Sequence, residues 1–282
     1  MEEVLADGSV RNSISKQLTP VAFLDEQSTP KALRTKQVLA GLFLSRFDKE
    51  GLRALGFSSS TEAFNAIGFA LGARPASIKN YRDEFDPIYS SKRKGWHKRP
   101  TREYCKAASD KYEGMSLKDF TALLKSLIYD HGSLDVITEE AEAEEAEAEE
   151  GKESSFAKRL ITGQAAEKYF EVVHPTLPTL ADYSLENVTA LGCGFDFRLR
   201  KSGLGDFLAV EVKGLNDTRG TVSLTEKEHR VAGVLSKRFY LFVVRNFREK
   251  PFHTIYCNPL KSELTFSRQE TQIIQVNWRV SV

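Results

Sequence analysis

The stretches Gly194-Phe195-Asp196-Phe197-Arg198-Leu199-Arg200 and Phe207-Leu208-Ala209-Val210-Glu211-Val212-Lys213-Gly214 decide the fold of the C-terminal part of this chain. Apolar and polar residues alternate along both stretches, and a short turn-like segment separates them, so we expect a β-hairpin. A turn centred on residues 203–204 sets Asp196 across from Glu211, with both side chains on one face. The sequence therefore predicts a pair of facing carboxylates.

Facing carboxylates on neighbouring strands are suited to binding a divalent metal ion. Asp196 and Glu211 offer hard oxygen ligands for Mg²⁺, which commonly takes one or two carboxylates together with waters and substrate phosphate oxygens. Lys213 projects from the same face as Glu211, where it can contact a scissile phosphate or orient the attacking water. A metal here lowers the pKa of that water and stabilises charge on the phosphoryl oxygens. We expect Mg²⁺ as the cofactor, with Mn²⁺ able to substitute.

The spacing Asp-x14-Glu-x-Lys resembles the PD-(D/E)xK nuclease signature. A closer resemblance, over roughly residues 156–247, is to the NO VEIN-type C-terminal domain, which is similar to Mrr-like restriction nucleases of the restriction-endonuclease-like superfamily. The usual proline before the first aspartate is Phe195 here, a departure that leaves the metal ligand in place. The blocks that carry the resemblance are Gly163-Gln164-Ala165-Ala166-Glu167, Gly194-Phe195-Asp196, Val210-Glu211-Val212-Lys213-Gly214, Val222-Ser223-Leu224-Thr225-Glu226-Lys227-Glu228 and Phe239-Tyr240-Leu241-Phe242-Val243-Val244.

The resemblance implies a fold and one more site residue. The superfamily has an αβββαβ core with a mixed sheet, an α/β fold, which we expect over residues 154–282. The first core helix often contributes an acidic residue to the metal site, and the resemblance assigns Glu167 to that role. We predict a helix over 156–173, the hairpin, a third strand over 221–224, a helix that opens with a Thr225-x-x-Glu228 capping box, and strands over 239–245, 252–257 and 273–280.

The N-terminal part of the chain, residues 1–138, has helical periodicity from residue 30 onward. Two predicted helices, over 60–72 and 76–85, are joined by a short connection, which is the shape of a helix-turn-helix. Lys79, Asn80 and Arg82 lie at exposed positions of the second helix and are residue types that contact phosphates and base edges. Acidic neighbours on the same helix keep an ordinary helical hairpin open as the alternative.

Residues 90–102 combine clustered cations with two aromatic rings in a loop that contains glycine and proline. Lysine and arginine neutralise phosphates, while a tryptophan or histidine ring can stack on a base or sugar. The pattern predicts contact with nucleic acid, chiefly with backbone phosphates, although such a loop is often only a solvated surface. The candidate DNA-binding residues here are Lys92, Arg93, Lys94, Trp96, His97, Lys98 and Arg99.

Residues 139–150 are only Glu and Ala. This composition favours a helix by intrinsic propensity, but its charges repel one another and oppose packing. We therefore predict an acidic linker over 139–153 between an α-helical DNA-binding domain (1–138) and a nuclease domain (154–282). An alternative is that the run mimics DNA and shields a basic groove.

The composition of the chain favours a protein that binds a polyanion and disfavours nucleotide-dependent and membrane-spanning proteins. The net charge of +1 hides two mildly basic parts on either side of the acidic run, which fits a polyanionic partner. The three cysteines are far apart and lack Cys-x-x-Cys spacing, as in a cytoplasmic protein with reduced thiols. The chain has no Gly-x4-Gly-Lys-Ser/Thr loop for a nucleotide cofactor and no apolar stretch of about 18 residues for a membrane.

Together these features predict a Mg²⁺-dependent DNA endonuclease whose helical domain holds double-stranded DNA while its C-terminal domain cuts. A role in restriction or another defence against foreign DNA follows from the resemblance alone. A homodimer is compatible, since a double-strand cut needs two active sites or two sequential nicks. Two alternatives stay open: a catalytically silent DNA-binding regulator on the same fold, and an RNA-directed nuclease.

Overall fold

The computed structural model describes residues 30–89, 93, 100–129, 149–203 and 205–270, together with two short strands at residues 3–4 and 10–12. No helix within these ranges is long and apolar enough to cross a membrane. The helices are α1 (Lys31–Arg46), α2 (Asp48–Ala54), α3 (Ser60–Ala70), α4 (Pro75–Phe85), α5 (Glu103–Tyr112), α6 (Leu117–Ile128), α7 (Glu149–Val173) and α8 (Glu226–Leu235). The strands are β1 (Glu3–Val4), β2 (Val10–Asn12), β3 (Ser184–Asn187), β4 (Phe197–Arg200), β5 (Phe207–Gly214), β6 (Phe239–Arg245) and β7 (Phe252–Cys257).

Local sequence signals set several helix ends. Ser59 caps α3, because its side chain accepts a hydrogen bond of 3.2 Å from the backbone N–H of Glu62. Pro75 occupies the first turn of α4, where backbone N–H groups make no hydrogen bond within the helix, so proline's lack of an N–H has no cost there. The capping box predicted at the start of α8 is confirmed: Thr225 and Glu228 each bond the other's backbone N–H.

The strands form one mixed sheet in the order β1-β2-β7-β6-β5-β4-β3. All neighbouring strands are antiparallel except β5 and β6, which are parallel and are connected through α8. The five strands β3 to β7 make the C-terminal region an α/β core preceded by helices, as predicted. The order of elements from α7 to β6 is helix, three strands, helix, strand.

The predicted strand over 221–224 is wrong, because those residues form no strand. Both edges of β5 are already occupied by β4 and β6, so a segment that follows β5 cannot pair with it. Val222 and Leu224 instead pack with Leu241 and Val243 of β6. The sequence analysis missed three strands: the short β1 and β2, and β3, which precedes the hairpin and is mostly exposed. The predicted strand over 273–280 lies outside the described residues.

Helix α7 is packed between the sheet and the N-terminal helices. Phe170 lies 4.8 Å from Phe242 of the sheet, measured between ring centroids. Tyr169, which bonds His253 of the sheet, also lies 5.4 Å from Phe69 of α3. One continuous hydrophobic core therefore runs from the helices through α7 into the sheet, across the predicted boundary at 139–153. Residues 139–148 of the acidic run lie outside the described residues.

Polar contacts also join the helices to the C-terminal core. The Asn65 side chain of α3 donates hydrogen bonds of 2.8 Å to the carbonyl oxygens of Phe247 and Glu249. Lys158 of α7 pairs with the buried carboxylate of Glu62 at 2.5 Å. The first residues of the chain belong to the sheet as well, since β2 pairs with the edge of β7. The N-terminal helices and the C-terminal core are thus one packed unit.

A substitution at Gly214 tests how closely α7 packs on the sheet. A Cβ atom there would lie 2.7 Å from the backbone oxygen of Thr162 and 3.2 Å from the Cβ of Ala166, both on α7. Gly214→Ala should therefore destabilise the protein by about 1–3 kcal/mol, the usual range for overpacking, as measured by urea unfolding. The control is Gly163→Ala, since a Cβ on Gly163 has nothing within 4 Å and alanine favours the helix. Equal stability of the two variants would contradict the close packing.

The buried His253 ring makes folding sensitive to acid. His253 is 2% exposed, stacks on Phe242 and bonds Tyr169, and burial lowers its pKa from 6.5 to about 4. Between these values the unfolded chain binds more protons than the folded protein. The free energy of unfolding should therefore fall by about 3 kcal/mol from this group as the pH drops from 7 to 4.

His253→Phe keeps a ring against Phe242 and removes the titration. Its loss of stability between pH 7 and pH 4, measured by urea unfolding, should be smaller than that of the wild type. His229→Gln, at an exposed histidine, is the matched control and should behave as the wild type does. An unchanged pH dependence in His253→Phe would show that His253 is not the acid-sensitive group.

Candidate active site

The hairpin has the register that the sequence predicts. Phe197 pairs with Val210 and Arg200 with Phe207, so Asp196, just before β4, lies opposite Glu211 of β5. The backbone N–H of Asp196 donates to the carbonyl oxygen of Val210 at 3.1 Å. Its carboxylate accepts a hydrogen bond of 2.8 Å from the backbone N–H of Val212. The aspartate is therefore held against β5 by both its backbone and its side chain.

Gly194 allows the backbone that leads to Asp196 to pass close to α8. Gly194 has a φ of +89°, a conformation that L side chains rarely adopt. A Cβ there would also lie 3.0 Å from Val231 and 3.2 Å from the Lys227 side chain, both on α8. Lys227 fastens the approach by donating a hydrogen bond of 3.1 Å to the carbonyl oxygen of Gly192. The path into Asp196 is thus set by the surface of α8.

Lys213 connects the hairpin to α8 through two ion pairs. Its Nζ atom lies 2.8 Å from Oε1 of Glu211 and 3.0 Å from Oε2 of Glu228. Glu211 and Lys213 alternate with Val210 and Val212 along β5, and Ala209, on the same side as Glu211, packs in one cluster with Ala232 of α8. The side chains of Glu211 and Glu228 are only 3% and 12% exposed. The ion pairs are therefore sheltered from water.

Glu228 was not predicted as a site residue. The sequence identifies it as the second half of the capping box, and the structure confirms that role: its Oε2 atom accepts a hydrogen bond of 2.9 Å from the backbone N–H of Thr225. The same carboxylate reaches Lys213, 15 residues earlier in the chain. No local pattern distinguishes a capping glutamate that also meets a lysine, because the contact depends on how α8 packs on the sheet.

The acidic residues of this region influence one another. Burial and the Asp196 carboxylate raise the pKa of Glu167 on α7 well above its usual range. The same two causes raise the pKa of Glu211, while Lys213 acts in the opposite direction. Burial disfavours the Lys213 ammonium, but Glu211, Glu228 and Asp196 outweigh it and raise the Lys213 pKa well above its ordinary value. The site is thus a sheltered cluster with more acids than cations.

This set of donors fits a hard divalent cation. Asp196 and Glu211 offer carboxylate oxygens from neighbouring strands, and the crowding that raises the Glu211 pKa is relieved by added positive charge. Among the described residues no group of three or more His, Cys, Asp or Glu residues is arranged to hold a metal. The two facing carboxylates could hold Mg²⁺, which usually takes one or two carboxylates and keeps several waters.

The candidate DNA-binding residues are partly engaged within the protein. On α4, Lys79 and Asn80 are exposed as predicted, and Lys79 pairs with Asp83 at 2.8 Å. The exposed position predicted for Arg82 is wrong: its side chain is 11% exposed, because it pairs with Asp83 at 2.6 Å and lies over the Phe64 ring. Arg93 is held by the fully buried Asp86 at 2.7 Å and also pairs with Asp48. The remaining predicted residues of the loop, Lys92, Lys94, Trp96, His97, Lys98 and Arg99, lie outside the described residues.

The part of the chain that carries the site is also the part that matches a known family. Residues 166–257 match the family model described as Protein NO VEIN, C-terminal. The matched region runs from the middle of α7 to the end of β7 and contains Glu167, Asp196, Glu211, Lys213 and Glu228. A search of curated proteins and a search of solved structures found no match. The match agrees with the resemblance seen in the sequence, since NO VEIN-type domains are associated with the nuclease-like PD-(D/E)xK superfamily.

Removing the charge of Glu167 should stabilise the protein at high pH. Because the folded protein holds this proton more tightly than the unfolded chain does, stability from this group is lost as the pH rises above 4.5. Glu167→Gln should therefore unfold at a higher temperature than the wild type at pH 8 and at the same temperature at pH 4. Glu263→Gln, at an exposed glutamate, is the control and should match the wild type at both values. A Glu167→Gln variant that is less stable at pH 8 would contradict the crowding of acids.

Proposed function

We propose that this chain is a metal-dependent DNA endonuclease that hydrolyses backbone phosphodiester bonds. The observation that carries the proposal is the facing pair Asp196 and Glu211 with Lys213 held beside it by two ion pairs. Two carboxylates and a cation on one face of a hairpin are what phosphodiester hydrolysis with Mg²⁺ requires. The family match over the same residues supports a nuclease-like function.

In the proposed mechanism Asp196 and Glu211 would hold Mg²⁺, with Mn²⁺ able to substitute. The metal, when bound, supplies a more acidic water and stabilises negative charge on the phosphoryl oxygens. The hydrogen bond from the backbone N–H of Val212 orients the Asp196 carboxylate toward β5. Lys213 remains an ammonium group beside its acids and donates a hydrogen bond to a phosphate oxygen, where negative charge develops. Glu167 adds negative charge from α7 and is a further acidic site residue in this proposal.

Double-stranded DNA is the proposed substrate. The chain outside its acidic run is mildly basic, and the helices lie directly against the core that carries the site. Lys79 and Asn80 on α4 are proposed to meet the DNA backbone, together with the cations of residues 92–99. Arg82 and Arg93 are proposed to support this surface through their pairs with Asp83 and Asp86. Restriction or defence, cytoplasmic action and a homodimer that cuts both strands complete the proposal.

The test is a cleavage assay on plasmid and phage DNA, modified and unmodified, with Mg²⁺, Mn²⁺ or EDTA. The wild type should cut only with metal. Asp196→Asn and Lys213→Ala should each lower the rate at least ~10²-fold, because the first removes a metal ligand and the second removes the cation beside the reacting phosphate. Circular dichroism shows whether the variants are folded.

Asp182→Asn is the matched control for Asp196→Asn, since Asp182 is an exposed acid that pairs with Lys201. It should cut at the wild-type rate. Cleavage of RNA but not DNA would support an RNA-directed nuclease. DNA binding without cleavage of any substrate would support a silent regulator, and either result would overturn the proposal.

A further inference from the structure

Lys213 is held by two acids that come from different parts of the fold. Glu211 lies on the same strand, two residues away, whereas Glu228 lies on α8. In the proposed function Glu211 is a metal ligand, so part of its charge is shared with the metal when the site is loaded. Glu228 belongs to a separate element and is not one of the paired carboxylates. The two acids therefore have different tasks around one ammonium group.

The carboxylate of Glu228 is held in place by contacts other than its ion pair with Lys213. Its Oε2 atom accepts a hydrogen bond of 2.9 Å from the backbone N–H of Thr225, and its backbone N–H donates to the Thr225 hydroxyl at 3.2 Å. This capping box anchors the group to the first turn of α8. Because these hydrogen bonds restrict the Glu228 carboxylate to one orientation, they also determine where the Lys213 ammonium group binds. The burial of Glu228 strengthens the electrostatic attraction between the two groups.

The geometry also leaves Lys213 able to act on a substrate. An ammonium group has three N–H donors. Within the described part of the chain the Lys213 Nζ atom lies 2.8 Å from Oε1 of Glu211 and 3.0 Å and 3.1 Å from the two carboxylate oxygens of Glu228. In the proposed function Glu211 shares its charge with the metal, which weakens its hold on Lys213 and frees an N–H for a phosphate oxygen. The positions of Glu211 and Glu228 determine how the Lys213 ammonium group is oriented.

We infer that Glu228 is the positioning residue of Lys213: it holds the ammonium group in the site, aimed at the phosphate, when Glu211 binds the metal. The inference rests on the proposed function for its catalytic consequence. Glu228 acts through Lys213 and touches neither metal nor substrate in this scheme. The capping box thereby gives α8 a second task, which is to keep a catalytic cation in place.

A set of three substitutions separates this role from helix capping. Glu228→Gln keeps an oxygen for the Thr225 N–H, since glutamine also serves in a capping box, but removes the charge that holds Lys213. Thr225→Ala removes the capping hydroxyl and keeps the Glu228 charge. Lys213→Ala removes the group that is held, and it is also combined with Glu228→Gln. All four variants are full-length chains.

Single-turnover cleavage with Mg²⁺ and DNA affinity measured with Ca²⁺ give the first readout. Glu228→Gln should cut at least ~10-fold more slowly while its Kd for DNA changes less than ~2-fold, because only the orientation of a catalytic group is lost. Thr225→Ala should cut within ~3-fold of the wild type. In the Lys213→Ala background, Glu228→Gln should cause no further loss. Wild-type cleavage by Glu228→Gln, or an equal loss in both backgrounds, would overturn the inference.

Thermal unfolding of the metal-free variants provides a readout that needs no cleavage. The shift in Tm caused by Glu228→Gln should largely disappear when Lys213 is already alanine, since the partner is gone. If the wild type cuts nothing, the proposed function fails, and the Tm cycle still decides whether Glu228 holds Lys213. Additive Tm shifts would show that the two residues are uncoupled and would reject the positioning role by themselves.

Discussion

The structure depends on the burial of helix α7 between two layers. Phe170 of this helix packs on Phe242 of the sheet, while its neighbour Tyr169 contacts both His253 of the sheet and Phe69 of the N-terminal helices. Such packing leaves no room for adjustment, and the absence of a side chain at Gly214 shows how closely the helix and β5 approach. Because α7 also carries Glu167, the placement of the helix and the electrostatics of the site are coupled.

The site lies where the sheet meets two helices. Asp196 and Glu211 belong to the hairpin, Glu167 to α7 and Glu228 to α8, so four acids converge around Lys213 from three directions. Like charges in a sheltered place oppose folding, and this cost is borne by the apolar core on both sides of α7. A cluster that is unfavourable for stability is what a cation-binding centre needs, because the bound cation relieves the repulsion.

The N-terminal helices are packed directly against the part of the protein that carries the site. They share a core with α7, and Asn65 and Glu62 contribute polar contacts across the junction. Two arginines of residues 90–102 are also part of this architecture, since Arg93 is held by the buried Asp86 and Arg102 by the buried Glu84. In the proposed function, DNA held by these helices therefore lies in a constant position relative to the hairpin.

Local patterns were enough to predict the hairpin, its register, the helix α8 with its capping box, and the buried strand β6. In each case the signal is contained in a few neighbouring residues: alternation with a period of two sets Asp196 opposite Glu211, and Thr225 with Glu228 marks a helix start. The strand predicted at 221–224 was wrong because its alternation reflects packing on the sheet face, and strand pairing depends on which edges are free.

The sequence by itself therefore determined the facing carboxylates and the lysine beside them, since residues on two strands joined by a short turn have little choice of partner. Only the tertiary structure decided that Glu228 meets Lys213, that Arg93 is held by Asp86, and that the helices and the sheet share one core. Those contacts join elements that are distant along the chain, and their geometry is set by how whole surfaces pack together.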